Sequence, residues 1–123
     1  FEYTRMVTWW EANIACVNLN AHLAAIESEA EQNYLNLRIN SFGYKKRGGM
    51  TRHLWIGGNN LAGGGWKWAA AGLGFTSKPM EYTYWRSGQP DYSDNTKNCV
   101  YIDGRPDTYT NTWNNINCAC DLF

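Results

Sequence analysis

Four cysteines in 123 residues constrain this chain most, because Cys99, Cys118 and Cys120 crowd into its last quarter while Cys16 stands alone near the start. An even count in a small chain points to disulfides and hence to an oxidising, extracellular compartment. Zinc is the rival use of such residues. Only Ala119 separates Cys118 from Cys120, however, and no second Cys-x-x-Cys or histidine pair completes a tetrahedral set.

A chain of this length fits one domain that can bury its own core. Formal net charge is zero and the pI is about 6.9, so there is no broad positive field to gather nucleic acid or an anionic membrane. Apolar runs such as Trp68 to Ala71 are far too short to span a bilayer. No charged start leads into an apolar stretch, so the chain reads as a mature or trimmed product. Seven Trp and eight Tyr supply large rings that bury much area at low rotamer cost, which suits a compact core carrying long loops.

Thr8 and Glu11, three apart, form a capping box ahead of Ala12, Ala15, Cys16 and Leu19, predicting a helix over Trp9 to Asn18. The signature recurs at Ser28 and Glu31, where Ala30, Tyr34, Leu37 and Phe42 are expected on the apolar side of a second helix ending before Gly43. His22 to Ile26 between them reads as a strand or extended link. Lys45, Lys46 and Arg47 mark a solvated surface loop. Leu54 to Gly57 begins a buried strand. Gly63, Gly64 and Gly65 turn the chain into Trp66, Lys67 and Trp68, which alternate as a strand does. This triple glycine is no phosphate loop, since neither a Lys-Ser or Lys-Thr pair nor a helix follows. Ala69 to Thr112 is too long and too rich in Gly, Pro, Asn and Asp for an ordinary connection. Two helices followed by strands and long loops predict an α+β domain. Its core is expected from Leu23, Ile26, Trp55, Ile56, Trp66, Trp68, Trp85 and Val100.

A longer pattern runs through these elements. Trp10-Glu11-Ala12 with Cys16, Leu23 to Ser28, Trp55-Ile56-Gly57-Gly58, Gly65 to Trp68, Trp85 to Asp91, Asn98-Cys99-Val100 and Trp113 to Cys118 resemble C-type lectin-like domains in order and spacing, over nearly the whole chain. The form Trp-Arg-Ser-Gly-Gln-Pro-Asp is similar to that of invertebrate secreted members. The resemblance implies a double-loop fold in which two helices flank a small antiparallel sheet and a long loop carries the ligand site. It also implies a Cys99–Cys118 bridge beside that site. The family's other bridge joins the first-helix cysteine, here Cys16, to one several residues beyond Cys118. Either Cys120 substitutes, or a last strand is missing after Phe123 and Cys16 and Cys120 serve other partners.

In sugar-binding members, side-chain oxygens hold a calcium ion that two sugar hydroxyls join, consistent with calcium's six to eight oxygen ligands. Gln89, Pro90 and Asp91 match the galactose-type triplet, and Asn114 matches a downstream ligand. A cis Pro90 would aim both flanking side chains at one ion. Tyr92 follows, where a ring could stack on the apolar face of a sugar. Two expected carboxylates are absent: Lys97 stands where Glu is usual and Asn115 where Asp is usual. The implied calcium set shrinks to Gln89, Asp91 and Asn114, so the ion is expected to bind poorly. Lys97 is expected to turn towards Asp91 and partly stand in for the missing ion, or to swing into solvent if calcium is present; Asp94 could swing in, though nothing in the sequence demands it. A second calcium position also loses its acids, to Asn60 and Gly64.

Two readings compete: a lectin for galactose-type glycans, and a lectin-like domain that binds proteins or assembles through disulfides or non-covalent contacts. Enzymatic readings lack residues. His22 and His53 belong to no metal or nucleophile motif, His22 reading as a packed ring. No carboxylate pair shares an evident pocket for glycoside hydrolysis.

Overall fold

The computed structural model describes residues 6–41, 53–69, 78–93, 95–104 and 111–122, with only the backbone of 40 and 41. Phe42, the basic loop at 45–47 and Asp94 lie outside these.

Helix α1 spans Trp9–Asn18, as its cap predicts. The Glu11 N–H donates to Thr8 Oγ1 at 3.2 Å and the Thr8 N–H to Glu11 Oε1 at 2.9 Å, so two amides without helical partners are satisfied reciprocally. Trp9 and Ala12 are buried, and the Trp9 indole N–H reaches the Ile56 carbonyl at 2.9 Å. Leu19, expected on the apolar face, is 80% exposed just past the helix end. Helix α2 spans Glu29–Ser41, with the Glu31 N–H donating to Ser28 Oγ.

The buried face of α2 is not the one its hydropathy suggests. Ala30, Tyr34 and Leu37 are exposed, whereas Gln32 and Ile39 are buried and Leu35 is half-buried. A polar residue can face the core here because its amide is satisfied: Gln32 Oε1 accepts from the Trp113 indole N–H at 2.9 Å, and Gln32 Nε2 donates to Asn36 Oδ1 at 2.8 Å.

Strands β1 (His53–Asn59), β2 (Lys67–Trp68), β3 (Cys99–Asp103) and β4 (Thr112–Ile116) form one antiparallel sheet in the order β2-β1-β3-β4. This is an α+β fold. Residues Leu54 to Gly58 of β1 are all buried, as expected for a strand covered on both faces. One core cluster gathers Val7, Trp9, Leu23, Trp55, Cys99, Cys118 and Leu122. The other gathers Ile26, Ile39, Leu54, Ile56, Trp68, Val100, Ile102 and Trp113. Of the eight expected core residues, Trp66 and Trp85 are only half-buried, packed on the rim of the second cluster.

His22 to Ile26 is an extended link, not a strand, with Leu23 and Ile26 buried. It lies so close to β1 that a Cβ at Gly57 would come within 3.0 Å of the Leu23 carbonyl oxygen and 3.2 Å of that of Ala24, which only glycine permits. His22 is exposed and not packed. Its Nδ1 lies 2.8 Å from the Leu23 carbonyl oxygen. His53 Nε2 lies 3.5 Å from Asp103 Oδ1, a buried carboxylate.

Cys99 and Cys118 are disulfide-bonded, 19 residues apart. Cys16 and Cys120 are half-buried and not bonded to one another, so Cys120 does not substitute. Burial raises the Cys16 thiol's pKa above its ordinary value. Val7 and Leu122 exchange backbone hydrogen bonds at 2.8 and 2.9 Å, bringing both ends of the described chain together. Among the described residues, no helix is long and apolar enough to cross a membrane.

Candidate functional site

After β2 the chain pairs with that strand at Pro79, opposite Lys67, and then reaches β4 at Trp85, which bridges Trp113. The Gln89 N–H closes a turn on the Arg86 carbonyl at 2.8 Å, Gly88 takes φ 87°, and the Gln89–Pro90 peptide is cis. Asp91 thereby arrives beside the ends of β3 and β4.

There it meets Lys97. Lys97 Nζ donates to Asp91 Oδ2 at 2.5 Å, and the Ser93 N–H donates to Asp91 Oδ1 at 2.8 Å. Both side chains of the ion pair are about one-third exposed. The hydrogen bond from Lys97, followed by those from Ser93, holds the Asp91 carboxyl down at about 2.

Asn115 is drawn into the same junction. Its Oδ1 accepts from the Asp91 N–H at 2.6 Å, while Nδ2 donates to the Asp91 carbonyl at 2.7 Å and to the Lys97 carbonyl at 3.0 Å. The amide is turned wholly to backbone, tying the loop to β4.

A cavity of about 520 Å³ opens beside this junction, lined by Asn60, Trp66, Asp91, Tyr92, Asn95, Lys97 and Asn98. Of the residues singled out in the sequence, it brings together Asp91, Tyr92 and Lys97, with Asn115 behind them. Gln89 and Asn114 do not line it. Asn114 is buried, and its side-chain nitrogen has no hydrogen-bond partner among the described residues. Sequence reasoning missed Trp66, Asn95 and Asn98 as lining residues, and it noted Asn60 only as a lost acid. Their common signal was position, at the glycine turn and just before Cys99.

These donors do not suit calcium as folded. The ion wants several oxygen ligands with negative charge, but an ammonium occupies one oxygen of the carboxylate and an amide N–H the other. Among the described residues, no three His, Cys, Asp or Glu side chains gather at a metal-sized site.

Comparison with known proteins agrees with the fold. The family model described as Lectin C-type domain matches residues 5–122. C-type mannose receptor 2 of Homo sapiens is 31% identical over 123 residues, covering 99% of this chain and 7% of the receptor. Ladderlectin of Oncorhynchus mykiss is 33% identical over 113 residues, covering 91% of this chain and 52% of that protein. The chain thus spans about half or less of these relatives. A crystal structure of the cow C-type carbohydrate-recognition domain of CD23, in the presence of a GlcNAc2Man3 oligosaccharide, superposes with TM-score 0.70 and 28% identity, covering 95% of this chain and 75% of that one. On its sequence match from residue 5 to 122, the chain belongs to the C-type lectin domain family.

Proposed function

We propose that this domain is an extracellular, non-enzymatic glycan-binding module that favours galactose-type sugars and depends weakly or not at all on calcium. The observation that carries the reading is the Lys97 ammonium on Asp91, where calcium-dependent relatives are expected to carry a metal ligand. An internal cation there neutralises the carboxylate without an ion, and like charge opposes calcium's entry. The galactose preference rests on Gln89-Pro90-Asp91 and on Tyr92 at the cavity beside it. The extracellular setting is supported by the Cys99–Cys118 disulfide.

A glycan array probed with and without a chelator tests this directly. Retention on galactose-terminated glycans, undiminished by chelator, is the expected result. Failure to bind any glycan would remove the module reading, and binding abolished by chelator would remove the metal independence.

A further inference from the structure

The cavity beside Asp91 has a second wall that the Gln-Pro-Asp turn does not supply. Trp66 enters from the glycine turn, and its indole N–H donates to the Tyr92 hydroxyl at 3.1 Å. Behind the cavity, the Trp66 ring meets Trp85 edge-on at 5.3 Å, and Trp85 meets the fully buried Trp113 at 5.9 Å. The wall is therefore braced ring by ring against the second core cluster. Tyr92 is 71% exposed, yet the bond to Trp66 restrains it, so an amphipathic ring is held at the mouth before any ligand arrives.

Two amides complete this side. Asn60 Oδ1 accepts from the Gly65 N–H at 3.1 Å, and Asn98 Nδ2 donates to the Asn95 carbonyl at 2.9 Å. Their other halves, the Asn60 NH2 group and the Asn98 oxygen, make no hydrogen bond among the described residues, although both residues line the cavity. One open donor and one open acceptor stand with two aromatic rings in a cavity whose charged lining, Asp91 and Lys97, is paired with itself. A hydroxyl both donates and accepts, and a pyranose joins such hydroxyls to an apolar C–H face. The cavity, at about 520 Å³, falls within the usual range for small-molecule sites.

We infer that Trp66, Tyr92, Asn60 and Asn98 form a subsite for a neutral pyranose, read by stacking on the rings and by direct hydrogen bonds to the amides. It rests on the glycan reading above and extends it away from Asp91, towards the turn between β1 and β2. The ring contact is the main source of affinity. The amides discriminate among hydroxyl arrangements, because an unmatched buried amide loses its water without replacement.

The test is calorimetry and tryptophan fluorescence with methyl β-galactoside and methyl α-mannoside, on the intact chain and three variants. Tyr92→Ala removes an exposed ring and is expected to leave the melting temperature unchanged while weakening binding roughly fivefold to tenfold. Asn60→Asp keeps the acceptor for Gly65 but deletes the open donor, and is expected to weaken binding by a similar factor. Trp66→Phe is expected to abolish most of the fluorescence change on binding. If the parent binds a pyranoside and Tyr92→Ala and Asn60→Asp bind it equally well, the subsite is overturned. If the parent binds neither sugar here nor any glycan on the array, the glycan reading falls, and the subsite with it.

Discussion

The Asn115 amide closes on the backbone of Asp91 from both sides, accepting from its N–H at 2.6 Å and donating to its carbonyl at 2.7 Å. A carboxylate at this position could not make the second bond, because it has no donor. Asn115→Asp alone is therefore expected to set an anion against the carbonyls of Asp91 and Lys97 and to cost about 1–3 kcal/mol of stability. Urea unfolding of the variant beside the parent measures it. Unchanged stability would mean that the amide does not hold the loop.

Calcium affinity should respond in the opposite sense once the internal cation is gone. Lys97→Glu replaces an ammonium by a carboxylate beside Asp91, and calcium affinity follows ligand charge and number. Calorimetry is expected to show at least about a tenfold gain, with a further gain on adding Asn115→Asp. Tight binding by the parent with no gain in either variant would show that oxygens other than these complete the shell.

The ion pair also has a defined pH window. The Asp91 carboxyl lies at about 2 in the folded chain, below the ordinary value of about 3.9. Its contribution is therefore fully present above about pH 4 and lost as pH falls towards 2. The difference in melting temperature between the parent and Asp91→Asn is expected to be constant from pH 7 to about 4 and to shrink below that. A difference already fading at pH 6 would place the titration elsewhere.

Gln32 and Trp113 give a test remote from the site. Both are buried, and the indole N–H has Gln32 Oε1 as its acceptor at 2.9 Å. Gln32→Met keeps the bulk but orphans that donor, which is expected to destabilise by about 1–3 kcal/mol. Chemical denaturation reads the change, and a neutral result would mean that the core rearranges to supply another acceptor.

The Cys99–Cys118 bridge joins residues 19 apart in sequence at the junction of β3 and the chain after β4. Replacing both cysteines by alanine is expected to cost about 2–4 kcal/mol, by loosening the constraint on the unfolded chain. Equal unfolding midpoints for parent and variant would contradict it.

What the sequence determined by itself is what neighbouring residues decide among themselves. Thr8 with Glu11 and Ser28 with Glu31 sit one helical turn apart, so both helix starts were legible from spacing, and α1 runs over Trp9–Asn18 as expected. The glycines at 63, 64 and 65 all take positive φ, a turn readable from composition. Family likeness added the disulfide and the loop that carries the site. Tertiary structure alone decided which face of α2 is buried, because Gln32 is tolerable inside only when Trp113, 81 residues away, supplies a partner. It also decided that Asn115 turns to backbone, that Gln89 and Asn114 stay off the cavity wall, and that Trp66 meets Tyr92 across 26 residues. Those outcomes depend on distances between segments far apart in the chain, which no local pattern of residues encodes.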